Sequence, residues 1–534
     1  MTTQPGFPDP IAEGIARGWR VHDGATLAEG TTFEADVAIV GTGAGGGVTA
    51  EILSAAGLKV LLLEEGGLRS TRDFRMLESE AYPTLYQESA SRKTKDKGIN
   101  IMQGRTVGGS TVVNWTSSFR TPPSTLAHWR EHYGLADLTP EALAPWWQQM
   151  ERRLRIAPWG MPPNRNNQLL ADALTKLGIA PHVIPRNVNG CYNLGYCGMG
   201  CPTNAKQSML VTTLPAALEQ GAELLYHARA ERLAFTGSRV QEVVVTLMGS
   251  DGFERRRDAV RVRARHVVLA GGAINTPALL LRSRAPDPHR LIGKRTFLHP
   301  VTISLAIMAD PVDGFAGAPQ SIYSDHFNEP SDAGMGFKLE APPIHPVLMA
   351  STAIGLGAEH AAVMKRLRHV HVVLALLRDG LHSESTGGTV ELRDDGTPVL
   401  DYPLSSYVME GARRALTVMA ELQFAAGAPV VIPFHERGTP ARSAAAAKAQ
   451  IAALAMRPPQ AKIVSAHVMG GCPMAADERR GVTDSFGRVR HVDNLSVIDG
   501  SLFPTSVGAN PQLSIYGLAA RAATALARSL GGTA

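Results

Sequence analysis

Apolar residues near the N-terminus fall into a strand, helix, strand order. Residues 36–40 (DVAIV) and 59–63 (KVLLL) are short apolar runs of strand length. Between them, apolar positions recur with helical spacing from Val48 to a glycine stop at Gly57. The pattern predicts a β-α-β unit, in which a helix joins two parallel strands.

A second group of patterned segments lies in the middle of the chain. Residues 321–327 (SIYSDHF) and 369–379 (HVHVVLALLRD) are predicted strands, and residues 388–404 (GTVELRDDGTPVLDYPL) are a predicted hairpin. We expect these segments to share one antiparallel sheet. Residues 138–158 predict an amphipathic helix with proline at its entry and exit.

The turn of the β-α-β unit reads GTGAGGG, with Gly41, Gly43 and Gly46 in G-x-G-x-x-G register. In such a turn, the first glycine permits the tight bend of the backbone and the second lets a pyrophosphate approach closely. The third lets the helix pack against the strand. Glu64 directly follows the second apolar run and is predicted to accept hydrogen bonds from a ribose, in preference to Glu65. The unit predicts binding of an ADP moiety, and by itself it leaves NAD and FAD open.

Composition restricts the class of protein. The 534 residues are 44% apolar and 19% charged, with a net charge of +5, as in soluble globular proteins. The arginines at 261, 263 and 265 alternate with apolar residues, which indicates the solvent face of a strand, and no interleaved aromatics suggest nucleic-acid binding. Four cysteines do not make a disulfide scaffold.

No membrane or export signal is recognisable in the sequence. Apolar runs stay below the roughly 18–20 residues that span a bilayer, and the first ten residues lack the pattern of a signal peptide. We therefore expect a cytoplasmic protein without a transmembrane segment. Peripheral contact with the inner face of the membrane stays open.

Four further motifs follow the glycine turn in a fixed order. They are GRTVGGSTVVN at 104–114, GAINTPALLLRS at 272–283, HVMGGCPM at 467–474 and VIDGSLFPTSVGANP at 497–511. In this order the chain resembles the glucose–methanol–choline (GMC) family of FAD-dependent oxidoreductases, from about residue 33 to the C-terminus. The resemblance implies an α/β fold: a Rossmann-type FAD-binding domain built from discontinuous segments, and an α+β substrate-binding domain with an antiparallel sheet.

The resemblance also implies where the cofactor binds. Gly108 and Gly109 pass close to the flavin without a Cβ in the way, and Asn114 closes that segment. Asp499 and Gly500 return the chain to the middle of the flavin. Some relatives attach FAD covalently through a histidine just before the asparagine, where this chain has Val113, so we expect non-covalent FAD.

Two residues are candidates for catalysis. Oxidation of an alcohol needs a base for the hydroxyl proton, and an imidazole titrates in the appropriate range, so His467 is the predicted base. Asn510 is predicted to hydrogen-bond the substrate oxygen, and a helix N-cap before Pro511 is its alternative role. The resemblance places this histidine and asparagine side by side before the flavin. We interpret His299, in FLHP, as structural.

The stretch GCYNLGYCGMGCPTN carries Cys191, Cys197 and Cys201, for which a metal site, a redox pair and packing are alternatives. Similar stretches occur in long-chain alcohol oxidases. They also occur in flavoprotein subunits of hexose dehydrogenases, where three cysteines hold an iron–sulfur cluster; here Tyr192 stands where a further cysteine is expected. We favour packing and predict no metal.

The resemblance divides the chain into two predicted domains. Residues 30–130, 205–305 and 460–534 form the FAD-binding domain, and residues 131–204 and 306–459 form the substrate-binding domain. The cysteine stretch and an apolar segment after residue 342 favour a small-molecule substrate: a long-chain or otherwise lipophilic primary alcohol, oxidised to its aldehyde. A sugar or polyol dehydrogenase is the alternative, and oxygen, a quinone or a cytochrome is the electron acceptor.

Overall fold

The computed structural model describes residues 7–28, 30–330, 332, 334–353 and 355–533, with backbone only at 257 and 258. The α-helices of this part, in chain order, are α1 (Pro10–Ala16), α2 (Ala44–Ala55), α3 (Glu78–Leu85), α4 (Pro123–Tyr133), α5 (Pro140–Arg153), α6 (Arg165–Lys176), α7 (Thr213–Glu219), α8 (Gly272–Arg282), α9 (Pro346–Thr352), α10 (Ala358–Lys365), α11 (Ser406–Ala425), α12 (Ala444–Ala453) and α13 (Gln512–Ser529).

Strands are equally spread along the chain. In chain order they are β1 (Arg20–Asp23), β2 (Thr32–Val40), β3 (Val60–Leu63), β4 (Ile99–Ile101), β5 (Ile156–Pro158), β6 (His182–Val183), β7 (Pro185–Asn187), β8 (Glu223–Tyr226), β9 (Ala228–Thr236), β10 (Arg239–Met248), β11 (Arg255–Leu269), β12 (Lys294–Phe297), β13 (Val301–Ile307), β14 (Ile322–Ser324), β15 (Phe337–Glu340), β16 (Val370–Leu377), β17 (Gly388–Leu392), β18 (Pro398–Asp401), β19 (Val430–Pro433), β20 (Ile463–Ser465), β21 (Met469–Gly470) and β22 (Leu495–Val497).

The predicted β-α-β unit is confirmed in the first sheet, whose strands run in the order β1-β8-β3-β2-β11-β10-β9. Strands β2 and β3 pair in parallel, with Val37 opposite Val60. Helix α2 begins at Ala44, four positions before the apolar periodicity predicts, because the glycine-rich turn already forms its first residues. The parallel part of this sheet is the Rossmann-type core of the fold.

The second large sheet is mostly antiparallel and runs in the order β4-β20-β13-β16-β15-β14-β6, with β19 beside β13. It contains the predicted strands at 321–327 and 369–379. The predicted hairpin also forms, as β17 and β18, but its placement in this sheet was wrong. It joins β12 and β21 in a separate sheet, because β17 pairs with β12 rather than with a strand of the larger sheet.

Two large apolar cores lie under these sheets. One is formed by buried side chains of α2, α13 and the parallel strands, and the other by those of α6, α11 and the second sheet. Strands β4 and β20 come from segments assigned to the FAD-binding domain, yet they join the second sheet. The predicted two-domain α/β fold is confirmed. The boundaries between the two domains stay a prediction.

The predicted solvent face of β11 is seen in the ion pairs of its arginines. The side chains of Arg261 and Arg263 are exposed and pair with Glu242, and Arg265 pairs with Asp36, so the alternating arginines do lie on a solvent face. Among the described helices, none combines the length and the apolar character needed to cross a bilayer.

Candidate active site

A cavity of about 870 Å³ opens where β2 and β3 end and extends to the second sheet. Nine of the eleven residues singled out from the sequence line it: Gly41, Gly43, Glu64, Gly109, Asn114, His467, Asp499, Gly500 and Asn510. Gly46 and Gly108 lie outside this lining. Segments more than 400 residues apart in the chain thus meet around one cavity.

The two glycine-rich segments touch each other along the cavity wall. An added Cβ at Gly109 would lie 2.7 Å from the Cα of Gly43, so the backbones meet where Gly109 has no room for a side chain. An added Cβ at Gly46 would lie 1.9 Å from the carbonyl oxygen of Gly41, which holds α2 against the end of β2. The main-chain N–H of Gly108 donates to the Thr42 hydroxyl at 2.9 Å and ties the segments together.

The N-terminus of α2 points into this cradle. Its N-cap, Gly43, offers no side-chain hydrogen bond, so the free N–H groups of the first helical turn are left for a ligand. Such a helix end favours phosphate groups through its N–H groups and its dipole. The turn therefore has the geometry of a pyrophosphate site.

Glu64 is buried, and protein donors already engage its carboxylate. One oxygen accepts from the main chain and hydroxyl of Thr42, at 3.1 and 2.6 Å, and the other from the main chain of Gly66 at 3.0 Å. Burial raises the pKa of Glu64 despite these bonds. Glu65 also lines the cavity, where it accepts from Arg105 at 3.2 Å. Both residues thus line the cavity where β3 ends.

Asp499 joins two elements at the edge of the cavity. One oxygen accepts from the main chain of Gly272 at 2.8 Å and from the Thr276 hydroxyl at 2.6 Å, which fixes the start of α8. The other accepts from the main chain of Ser501 at 2.8 Å. Burial raises the pKa of Asp499, and these bonds oppose that rise. Gly500 follows directly and lines the cavity.

Asn114 connects the second glycine-rich segment to the C-terminal helix. Its Nδ2 donates to Gln512 Oε1 at 2.7 Å, in the first turn of α13. Gln512 in turn donates to the carbonyl oxygen of Ser117 at 2.8 Å. Sequence reasoning missed Gln512, because a glutamine at a helix start has no distinctive pattern.

His467 lies between β20 and β21 and meets a second imidazole. The Nδ1 atoms of His467 and His299 are 3.1 Å apart. Burial, with a smaller contribution from the charge of Lys338, lowers the pKa of His467 to about 4, and burial lowers the pKa of His299 well below its ordinary value. Both rings are neutral near pH 7. If His467 Nδ1 donates in this contact, its Nε2 is free to accept a proton.

His299, interpreted from the sequence as structural, contacts the predicted base through its ring. Its backbone has a positive φ of 47°. The conformation is held by Asp379, which accepts from the main chain of Leu298 and of His299, both at 3.0 Å. The Tyr402 hydroxyl donates to the same carboxylate at 2.7 Å.

Asn510 does not cap helix α13, whose N-cap is Pro511. Its Nδ2 instead donates to Glu340 Oε2 at 3.3 Å, and its Oδ1 is buried without a hydrogen-bond partner among the described residues. Glu340 pairs with Lys338, and both side chains are buried. Sequence reasoning did not single out these two charges, because alternation along β15 cannot tell which face is buried.

The second sheet supplies an aliphatic wall to the cavity. Three cross-strand pairs of β13 and β16 line it: Val301 with Leu376, Ile303 with Leu374, and Leu305 with Val372. Helix α9 adds Leu348 and Met349 to this apolar part. The cavity thus joins a polar, glycine-lined part to an apolar part.

The three cysteines of the 190–204 stretch have separate partners. Cys191 Sγ accepts from the main chain of Asn193 at 3.4 Å, Cys197 Sγ from Arg186 at 3.6 Å, and Cys201 Sγ from the main chain of Lys206 at 3.5 Å. Within the described residues, no group of three histidine, cysteine or acidic side chains has the geometry of a metal site.

Lys206 fastens this stretch to the cavity wall. It is buried, and its Nζ donates to the carbonyl oxygens of Cys197 at 2.7 Å, Asn114 at 3.0 Å and Val112. Burial lowers its pKa to about 8. Through these bonds Lys206 links the stretch to the segment that carries Asn114.

Comparison with protein families agrees with this architecture. Models of the GMC oxidoreductase family match residues 82–301 and 383–519. The chain belongs to the GMC oxidoreductase family. It is therefore an oxidoreductase, and the family indicates FAD as its cofactor.

Individual relatives show how far the similarity reaches. A GMC-type oxidoreductase of Mycobacterium tuberculosis is 32% identical over 490 residues, which cover 91% of this chain and 74% of the relative. A long-chain-alcohol oxidase of Arabidopsis thaliana is 27% identical over 513 residues, covering 91% of this chain and 66% of that protein.

Solved structures share the fold at lower identity. Pyridoxine 4-oxidase from Mesorbium loti superposes with a TM-score of 0.67 at 20% identity, over 91% of this chain and 98% of that one. A variant of formate oxidase from Aspergillus oryzae, studied for FAD modification, superposes with a TM-score of 0.69 at 15% identity. The match covers 94% of this chain and 100% of that one. At these identities the likeness concerns the fold alone.

Proposed function

We propose that this GMC oxidoreductase oxidises a lipophilic primary alcohol to its aldehyde, with non-covalent FAD as hydride acceptor. The aliphatic wall of β13 and β16 is the observation that carries the proposal. Its three cross-strand pairs present six aliphatic side chains to the cavity. A sugar or polyol would leave most of its hydroxyl groups unpaired against such a wall, which disfavours binding.

The residues of the cavity fit FAD. The contact of Gly43 with Gly109 leaves a cradle that a Cβ at Gly109 would fill, and the free N–H groups of α2 suit a pyrophosphate. Glu64 and Glu65 would face the ribose, while Asn114, Asp499 and Gly500 would lie along the flavin. Bound FAD would supply the hydride acceptor. Val113 lines the same wall and offers no nucleophile for a covalent bond, which supports non-covalent binding.

His467 is the proposed base. Its neutral imidazole accepts the hydroxyl proton of the alcohol, and the contact with His299 holds the ring in one orientation. Asn510 provides an amide N–H to the substrate oxygen as negative charge develops there. Both residues line the cavity, which supports their roles.

We further propose that oxygen, a quinone or a cytochrome reoxidises the reduced cofactor, and that the protein is cytoplasmic. A cytoplasmic enzyme in peripheral contact with the membrane would meet lipophilic alcohols at the lipid surface.

The test is anaerobic mixing of the purified protein with alcohols from ethanol to dodecanol, and with glucose and gluconate, while the flavin absorbance is recorded. We expect bleaching that is fastest with the longer alcohols, and readmitted air then distinguishes an oxidase from a dehydrogenase. Bleaching by the sugars alone would instead identify a sugar or polyol dehydrogenase.

A substitution in the aliphatic wall sharpens this test. Leu374→Trp fills part of the apolar cavity, so dodecanol should reduce the flavin at least tenfold more slowly while butanol is little affected. Leu177→Trp, at an exposed leucine at the end of α6, is the matched control and should leave the chain-length profile unchanged. An unaltered profile in the Leu374 variant would contradict the proposed substrate pocket.

A further inference from the structure

A buried ion pair lies behind Asn510, on a strand that contributes no lining residue to the cavity. Lys338 Nζ and Glu340 Oε1 are 3.9 Å apart, and their side chains are 3% and 0% exposed. The residues are two apart on β15 and therefore share one face of the strand. Lys338 Nζ lies 2.9 Å from the centre of the Phe119 ring and 4.1 Å from that of Tyr323.

This pair is costly for the fold and incompletely satisfied. Charges taken out of water lose more than their mutual attraction returns unless further hydrogen bonds complete them. Glu340 Oε1 accepts no hydrogen bond within the described residues, and the polar donor to Oε2 is Asn510. Apolar residues of similar size would fill the same space, so packing alone does not account for the carboxylate.

We propose that Glu340, paired with Lys338, is a positioning residue: its carboxylate holds the Asn510 amide toward the cavity that His467 also lines. This inference rests on the proposed function. It assigns Glu340 no contact with the substrate and no part in proton transfer.

The geometry explains why the amide needs such a partner. Glu340 Oε2 occupies one of the two N–H groups of Asn510, and Asn510 Oδ1 has no partner within the described part of the chain. This hydrogen bond restrains rotation of the Asn510 side chain, so its second N–H keeps one orientation. A donor that is already in place when charge develops on the substrate oxygen stabilises that charge without reorganisation.

The charged surroundings agree with this arrangement. Asp325, which directly follows β14, also attracts the Lys338 ammonium, and the charge of Lys338 in turn acts on His467 and His299. Burial raises the pKa of Glu340 and lowers that of Lys338, and the attraction between them opposes both shifts.

Two double variants isolate the acceptor for Asn510. Lys338→Met/Glu340→Gln keeps an oxygen that accepts from the amide, whereas Lys338→Met/Glu340→Met removes it. Both lack the ion pair, so neither leaves an unpaired buried charge that would unfold the protein. Glu391→Gln, in an exposed pair with Lys95, is the control for loss of a carboxylate that does not line the cavity.

The first readout is anaerobic reduction of the flavin by a saturating long-chain alcohol. We expect Lys338→Met/Glu340→Gln to stay within about threefold of the wild type in limiting rate. Lys338→Met/Glu340→Met should be roughly 10- to 100-fold slower, with the half-saturating alcohol concentration within about threefold. Equal rates in the two double variants would overturn the proposal.

The second readout does not require turnover. Crystal structures of the FAD-loaded double variants should show Asn510 in the wild-type orientation in Lys338→Met/Glu340→Gln. In Lys338→Met/Glu340→Met, the Asn510 side chain should be rotated or adopt two conformers. An unchanged Asn510 in both would also overturn the proposal. If no alcohol reduced the wild-type flavin, the proposed function would fail, and this orientation would still decide the role of Glu340.

Discussion

At the scale of single residues, the proposed chemistry depends on the protonation state of His467. Its pKa is lowered to about 4, first by burial and then by Lys338, so the ring is neutral and able to accept a proton at every pH above that value. The limiting rate of flavin reduction should therefore fall as the pH drops through about 4, and stay level from about 5 to 8. A rate that falls already near pH 6.5, the ordinary histidine value, would contradict a desolvated neutral base.

Replacing this residue tests the same role directly. His467→Ala removes the proposed base but no predicted contact with the cofactor, so the variant should retain FAD while flavin reduction slows by roughly 10²–10⁴. Absorbance of the purified variant measures the FAD content, and anaerobic mixing with alcohol measures the rate. His491→Ala, at a partly exposed histidine, is the control. Full anaerobic reduction at the wild-type rate would exclude His467 as the base.

What the sequence predicted at this scale depended on motifs. His467 and Asn510 stand in recognisable segments, and the structure brings both to one cavity. Lys338 and Glu340 stand in FKLE, where charged and apolar residues alternate as they would on a half-exposed strand. All four are buried, which the alternation could not indicate, because the covering elements come from distant parts of the chain.

At the scale of elements, the contact between the two glycine-rich segments leaves no room for a side chain at Gly109. Gly109→Ala places a Cβ 2.7 Å from Gly43 Cα and strains a backbone with a φ of 55°. The cradle must then open, so we expect the variant to be purified with little or no FAD. The ratio of flavin to protein absorbance is the measurement.

The chain offers a matched control for backbone strain. Gly237 has a φ of 57°, and a Cβ added there meets no atom within 4 Å. Gly237→Ala therefore carries a similar conformational cost, of about 1 kcal/mol, without the collision. It should retain FAD. Equal FAD content in the two alanine variants would mean that the contact of Gly43 with Gly109 does not shape the cofactor site.

Elements were predictable where their partners are close in sequence. The β-α-β unit follows from local periodicity and glycine spacing, and its strands pair as expected. The hairpin of β17 and β18 was also recognisable, but its sheet was not. Its neighbour β12 lies about 90 residues earlier, and no local signal marks which edge a hairpin will join.

At the scale of the whole molecule, the cavity wall is assembled from segments distributed along the chain. Residues from the first sheet, the second sheet and the start of α13 all line it. Composition and motif order predicted a two-domain α/β protein, whereas the way β4 and β20 join the second sheet depends on long-range pairing. A cofactor bound in this cavity would contact residues of both large sheets and should stabilise them together.

Removal of FAD tests this coupling and the absence of a covalent bond. Because Val113 offers no nucleophile, acid precipitation should release all flavin into the supernatant; flavin in the pellet would contradict non-covalent binding. Gentle removal should yield a protein that unfolds at a lower temperature, since a ligand at 100 times its Kd stabilises the native state by about 2.7 kcal/mol. Added FAD should restore the unfolding temperature of the wild type but not that of Gly109→Ala, because only the intact cradle links ligand binding to the stability of both domains.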